Sequence, residues 1–217
     1  MLKEHKITKV DLQLALNEQV DVHEIRQRIM PLGRINDFPQ KHVVSKQSAV
    51  MMLFYNDVDK LMLCLTKRSE KLNHHPGQIS FPGGQCDVHE LAKPLLAALR
   101  ETNEEIGIGE QQIEVLGKLS ELYVPVSNFT IHPYVGWMEK KPVFNINEHE
   151  VEQMVIVDVD SLLNPLYQTV KSVDTMIGKL DVPCFLIDDY LIWGATSMMI
   201  AELEAKLMQY YSRRAIH

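Results

Sequence analysis

The sequence predicts an α/β domain with a mixed β-sheet, preceded by a short helical extension. Three observations carry this. β-rich apolar runs alternate with turn-forming clusters through residues 48–193. One well-delimited helix interrupts them between Pro94 and Gly107, and amphipathic segments stand at both ends of the chain. Residues 1–45 read as N-terminal helical extension and linker, and 46–217 as the main domain.

The elements follow in order. Thr8 to Asn17 and Asp21 to Met30 read as helices; Asp21 followed by Glu24 suits a capping pair, and Val22, Ile25 and Ile29 fall at helical spacing. The run PLGRINDFPQ breaks the pattern, which makes residues 31–45 the linker. Ser48–Tyr55 and Leu61–Thr66 are strands of a hairpin turning at Asn56-Asp57-Val58-Asp59. Gly77–Phe81 is a short strand entering Pro82-Gly83-Gly84. The central helix starts near Pro94, a residue suited to a first turn, and stops at Gly107. Ile113–Leu122, Ile131–Met138 and Met154–Val159 are strands, and Leu180–Ile187 with Tyr190–Trp193 flank Asp188-Asp189 as a second hairpin. After Gly194 the chain turns helical, with Met198, Met199, Ala201, Leu203, Leu207 and Tyr210 as its apolar stripe. The methionines there read as core filler.

With 217 residues, 46% of them hydrophobic, the chain can bury a sizeable core. A net charge of −7 argues against a nucleic-acid partner, because phosphate backbones are met by basic patches. An anionic substrate then needs a metal to supply positive charge. The three cysteines, Cys64, Cys86 and Cys184, show no paired spacing. No run approaches the ~18 apolar residues needed to span a bilayer. A reduced, cytoplasmic protein without a membrane partner is expected.

Glu101, Glu104 and Glu105 stand at i, i+3, i+4 in the central helix, on one face and roughly 5–6 Å apart at Cβ. Such carboxylates repel, and a hard divalent cation converts that repulsion into attraction. A solvated acidic face is the alternative, and the neighbouring residues decide against it. Gly84, Glu90, Arg100-Glu101, Glu104-Glu105 and Gly107-Ile108 together resemble the box of the Nudix family, G-x5-E-x7-R-E-U-x-E-E-x-G-U with U aliphatic. Two positions depart from it. Nine residues separate Glu90 from Arg100 where the pattern has seven, so counting back from Arg100 reaches Ala92 and leaves the part played by Glu90 open. Thr102 stands at an aliphatic position.

The resemblance implies a Nudix-type α/β/α sandwich, hydrolysis of a nucleoside diphosphate derivative, and Mg²⁺ or Mn²⁺ as cofactor. It implies Glu101, Glu104, Glu105 and the Gly83 carbonyl as metal ligands, with Arg100 ordering loop and helix. Glu150, taken from Glu148, Glu150 and Glu152 because Glu150-Val151 fits the family's E-V before a strand, is the expected further ligand or base.

The segment before the box resembles the signature of coenzyme A diphosphatases, L-L-T-x-R-S…G-x-x-x-F-P-G-G, through Leu65, Thr66, Arg68, Ser69, Gly77, Phe81, Pro82, Gly83 and Gly84. Ile192-Trp193-Gly194-Ala195-Thr196 resembles the I-W-G-x-T element of the same group. This implies coenzyme A or acyl-CoA as the small-molecule substrate, with Arg68, Ser69, Gly77, Phe81, Pro82 and Gly84 at the substrate. Arg68 is the expected contact for its 3′-phosphate, with Lys67 or Lys71 as substitutes, and His74 and His75 sit nearby in sequence. ADP-ribose, NADH or a catalytically silent nucleotide sensor are the competing readings. The N-terminal helices, outside these motifs, are available for a homodimer contact. The closing Arg-Arg-Ala-Ile-His does not match a peroxisomal S-K-L signal.

Overall fold

Lys46–Asp57 forms β1, a twelve-residue strand whose middle is buried from Met51 to Tyr55. A continuous apolar run of that kind belongs in the interior of a sheet covered on both faces. A computed structural model describes residues 6–30, 44–72, 74–175 and 178–214. Around β1 it sets β2 (Lys60–Arg68), β3 (Ile79–Ser80), β4 (Gly83–Gln85), α3 (Leu95–Ile106), β5 (Glu114–Lys118), β6 (Leu122–Val124), β7 (Phe129–Met138) and β8 (Val151–Asp158), with α1 (Lys9–Ala15) and α2 (Val22–Ile29) preceding them. Among the described residues, these eight strands make one sheet: β3-β2-β1-β7-β5 in order, with β4 on β1, β6 on β7 and β8 on β2.

The sheet is mixed. β1 runs parallel to β7, from Lys46 opposite Phe129 to Tyr55 opposite Met138, and the other pairings are antiparallel. Helix α3 lays Ala97, Ala98 and Ile106 against Ala49, Met51, Leu53 and Cys64 of β1 and β2, so the core beneath this helix is fixed from both sides. Gly107, at φ 73°, ends the helix where expected. The run expected as one strand from Ile113 to Leu122 is two, β5 and β6, which part at residues 119–121; both pair antiparallel with β7, and β5 itself carries a register shift between Val115 and Gly117. Pro82 leads directly into strand β4, which Gly83 and Gly84 begin.

Packing divides the chain into Phe38–Asp158, which holds this sheet, and a second unit of Met1–Asp37 with Val159–His217. In the second unit α1 and α2 pack on α5 (Ala195–Arg214), and α4 (Val159–Leu162) precedes a three-stranded sheet of β9 (Gln168–Thr175), β10 (Gly178–Ile187) and β11 (Tyr190–Trp193). The reason is polar as well as apolar. Buried Arg26 donates to buried Glu202 at 3.0 Å, and Lys206 Nζ donates to the Leu16 and Glu18 carbonyls that follow α1. Of the expected linker, residues 31–43 lie outside the described residues. No helix among those described is long and apolar enough to cross a membrane.

Candidate active site

The site is built where β4 meets α3. Gly83 sits at φ 152°, and a Cβ there would meet the Ala49 carbonyl oxygen at 2.3 Å and Val50 Cα at 2.6 Å. Gly84 is bare for another reason: a Cβ would stand 2.4 Å from Glu101 Cδ, so the missing side chain is what lets that carboxylate lie against the strand. The Gly83 N–H donates to Glu105 Oε2 at 3.2 Å. One glycine pair thus receives two of the box carboxylates.

Arg100 ties the loop before α3 to the helix. Its Nε and Nη2 donate to the two oxygens of Glu90 at 2.9 and 3.0 Å, a bidentate pair. Nη1 donates to Glu101 at 2.8 Å and Glu104 at 3.0 Å, and Nη2 also reaches the Gln85 carbonyl. These bonds hold the buried Glu90 carboxyl below its usual range, with Arg100 the largest cause. The two extra residues therefore do not displace Glu90. A short 3₁₀ turn over Val88–Glu90 and the Asp87 N–H to Glu90 Oε2 bond (2.8 Å) absorb them, turning the carboxylate back to Arg100. Thr102, at the aliphatic position, is fully buried and disposes of its hydroxyl by donating to the Ala98 carbonyl at 2.6 Å.

Glu101, Glu105 and Glu150 each bring a carboxylate oxygen within 4.8 Å of the others. Two come from one helix face, and the third from the turn before β8. Burial pushes Glu105 up to about 8; the Gly83 N–H and Arg68 oppose this, while Glu101 and Glu150 add to it. Burial also raises Glu101, against the pull of Arg100. Crowded carboxylates, with Glu101 and Glu105 held above their normal range by burial, form a donor set that suits a hard divalent cation. Glu104 stands outside the trio, exposed and engaged with Arg100. Of the other two glutamates near Glu150, Glu148 is exposed and Glu152 pairs with Lys67 at 2.8 Å.

The residues expected at the substrate divide into two groups. Arg68 is half-buried at the end of β2, near enough to lower Glu105, and its buried Nε has no hydrogen-bond partner. Gly77 and Gln78 hold its backbone, the Gly77 N–H on its carbonyl and its own N–H on the Gln78 carbonyl. Ser69, Phe81 and Pro82, in contrast, are buried framework and not exposed contacts. Ser69 gives its N–H to the Glu150 carbonyl at 2.9 Å, and the Pro82 carbonyl accepts from Met51. His75 is exposed at φ 55°, bonded to Gln78, and shifted down by partial burial; His74 is exposed. Ile192-Trp193-Gly194-Ala195-Thr196 forms the strand-to-helix turn from β11 into α5, within the second unit. Sequence reasoning passed over Asn145 and Asn147, which join the end of α3 to Glu150; an Asn two residues before a turn is the signal that could have found Asn147.

Residues 45–175 match the family model of the NUDIX domain. The chain is 29% identical over 168 residues to the peroxisomal coenzyme A diphosphatase ndx-8 of Caenorhabditis elegans, covering 76% of this chain and 70% of that one. It is 31% identical over 164 residues to the peroxisomal coenzyme A diphosphatase NUDT7 of Mus musculus, covering 73% and 69%. Against the uncharacterized Nudix hydrolase NudL of Yersinia enterocolitica, the identity is 32% over 148 residues, covering 65% and 71%. The family match spans more than half the chain and includes every residue of the carboxylate trio, so the chain belongs to the Nudix family.

Proposed function

We propose that this Nudix hydrolase cleaves the pyrophosphate of coenzyme A or an acyl-CoA, giving 3′-phosphoadenosine 5′-phosphate and 4′-phosphopantetheine or its acyl derivative. The observation that carries the reading is the continuity of the chain from Leu65 to Gly84 into the carboxylate trio: residues of the coenzyme A diphosphatase signature deliver the glycine pair on which Glu101 and Glu105 rest. Similarity to two relatives that bear that activity in their names supports it.

Glu101, Glu105 and Glu150 would hold Mg²⁺ or Mn²⁺, with the Gly83 carbonyl beside them and Glu104 free to join after leaving Arg100. When bound there, such an ion would supply positive charge against the pyrophosphate and would make an attacking water more acidic. Glu105 must lose its proton to take part, and Arg68 eases that loss. Arg68, half-buried at the end of β2, is assigned the 3′-phosphate in preference to Lys67, which is engaged with Glu152. Glu150 is the further ligand or the base. Arg100 keeps Glu101 in place through a fork that is itself anchored on Glu90.

A panel of coenzyme A, an acyl-CoA, ADP-ribose and NADH, assayed with Mg²⁺ or Mn²⁺ and read by mass spectrometry, tests this. The expected result is 3′-phosphoadenosine 5′-phosphate from the first two, at the higher kcat/KM. Preferred turnover of ADP-ribose or NADH would transfer the protein to nucleoside diphosphate derivatives. Nucleotide binding without turnover would make it a sensor.

A further inference from the structure

A helix leaves its last carbonyls without donors of its own. At the end of α3 two of these, on Glu105 and Ile106, take the N–H groups of Asn147 at 2.9 Å and Asn145 at 3.0 Å. The approach depends on Gly107, where a Cβ would meet Asn145 Cβ at 2.7 Å and its carbonyl oxygen at 3.0 Å. The segment after β7 is therefore laid directly on the residue that supplies one carboxylate of the trio. Asn147 then turns the chain. Its carbonyl accepts from the N–H of Glu150 and of Val151, both at 2.9 Å, and its Oδ1 accepts from the His149 N–H at 3.2 Å. On the far side the Ser69 N–H holds the Glu150 carbonyl.

Glu101 and Glu105 are spaced by the helix that carries them both. Glu150 has no such guarantee, because it arrives from another segment, and its distance from the other two is only as fixed as the turn that presents it and the Ser69 bond behind it. We propose that Asn147 is a positioning residue which, through the Oδ1–His149 turn, sets Glu150 against Glu101 and Glu105. The inference rests on the reading that these three carboxylates hold the divalent ion. Groups that orient metal ligands are worth about 10–100-fold in affinity when removed.

The test is Mn²⁺ binding to metal-stripped protein, followed by electron paramagnetic resonance, with thermal unfolding in EDTA alongside. Asn147→Ala removes Oδ1 and is expected to weaken Mn²⁺ about tenfold. Asn147→Asp keeps an oxygen at that place and is expected to bind close to wild type. In a Glu150→Ala background, Asn147→Ala is expected to change nothing further, since its effect passes through Glu150. Should Asn147→Ala not fold, Asn147→Ser, whose hydroxyl makes the same turn more weakly, is expected to fall between wild type and Glu150→Ala. Unchanged Mn²⁺ affinity in Asn147→Ala (or in Asn147→Ser, where that variant stands in), with or without a lower melting temperature, would overturn the inference and leave Asn147 as a plain helix cap. An equal loss in both backgrounds would overturn it too. Wild-type protein that binds no Mn²⁺ overturns the metal reading itself, and the inference with it.

Discussion

Glu105→Gln separates the stability of the site from its function. Burial holds the Glu105 carboxyl near 8 against an ordinary 4.5. Between those values the folded protein keeps a proton that the unfolded chain has lost, so metal-free stability falls as pH rises through the window. At about 1.4 kcal/mol for each tenfold change in proton affinity, the full penalty above pH 8 is about 5 kcal/mol. Glutamine keeps an oxygen for the Gly83 N–H but adds an NH₂ that needs a partner, at a cost of about 1–3 kcal/mol. The variant should therefore be more stable than wild type by about 2 kcal/mol or more at pH 9 in EDTA, and no more stable at pH 4. Urea unfolding at a series of pH values, followed through Trp137 in a Trp193→Phe background, measures the difference within the unit that holds the site. Saturating Mg²⁺ should stabilise wild type more at pH 9 than at pH 5 and leave the variant nearly unmoved, while hydrolysis is lost. A Gln variant whose stability tracks wild type across the whole range, or falls below it at pH 9, would refute the reasoning.

Other substitutions probe the supports. Arg100→Ala strands the buried Glu90 carboxylate and should cost about 3–5 kcal/mol in urea unfolding, with Arg100→Lys intermediate because it cannot fork. Gly84→Ala should leave the fold intact, since the clash falls on the end of the flexible Glu101 side chain, yet weaken Mn²⁺ by about tenfold or more in a paramagnetic titration. Thr102→Val should be neutral or stabilising, within about 1 kcal/mol, because the Ala98 carbonyl keeps its helical donor; Thr102→Ala, which also empties methyl volume, should cost about 1–2 kcal/mol.

How much of this was readable beforehand depended on whether a side chain or the backbone carried the signal. Helix α3 was legible because Pro94 and Gly107 mark its ends by their own torsional chemistry, and the box glutamates followed at its spacing. Strand β9 was not, because Gln168–Thr175 is exposed along most of its length and offers no buried alternation to detect. The reach of Glu90 was hidden by counting residues along a loop that folds back through a 3₁₀ turn, so the number between Glu90 and Arg100 does not measure their separation.

The third carboxylate shows the limit most clearly. Glu148, Glu150 and Glu152 alternate, so the side-chain periodicity of an extended segment treats them alike and cannot choose among them. What distinguishes Glu150 is a pair of main-chain bonds, one from its N–H to Asn147 and one from Ser69 to its carbonyl. Ser69 belongs to the segment read as contacting substrate, yet it is buried and its backbone does the work. A signature residue can therefore hold a carboxylate of the trio in place through its main chain alone. By the same logic, Ser69→Ala, which keeps the N–H, should disturb activity less than any change that moves the main chain at 69.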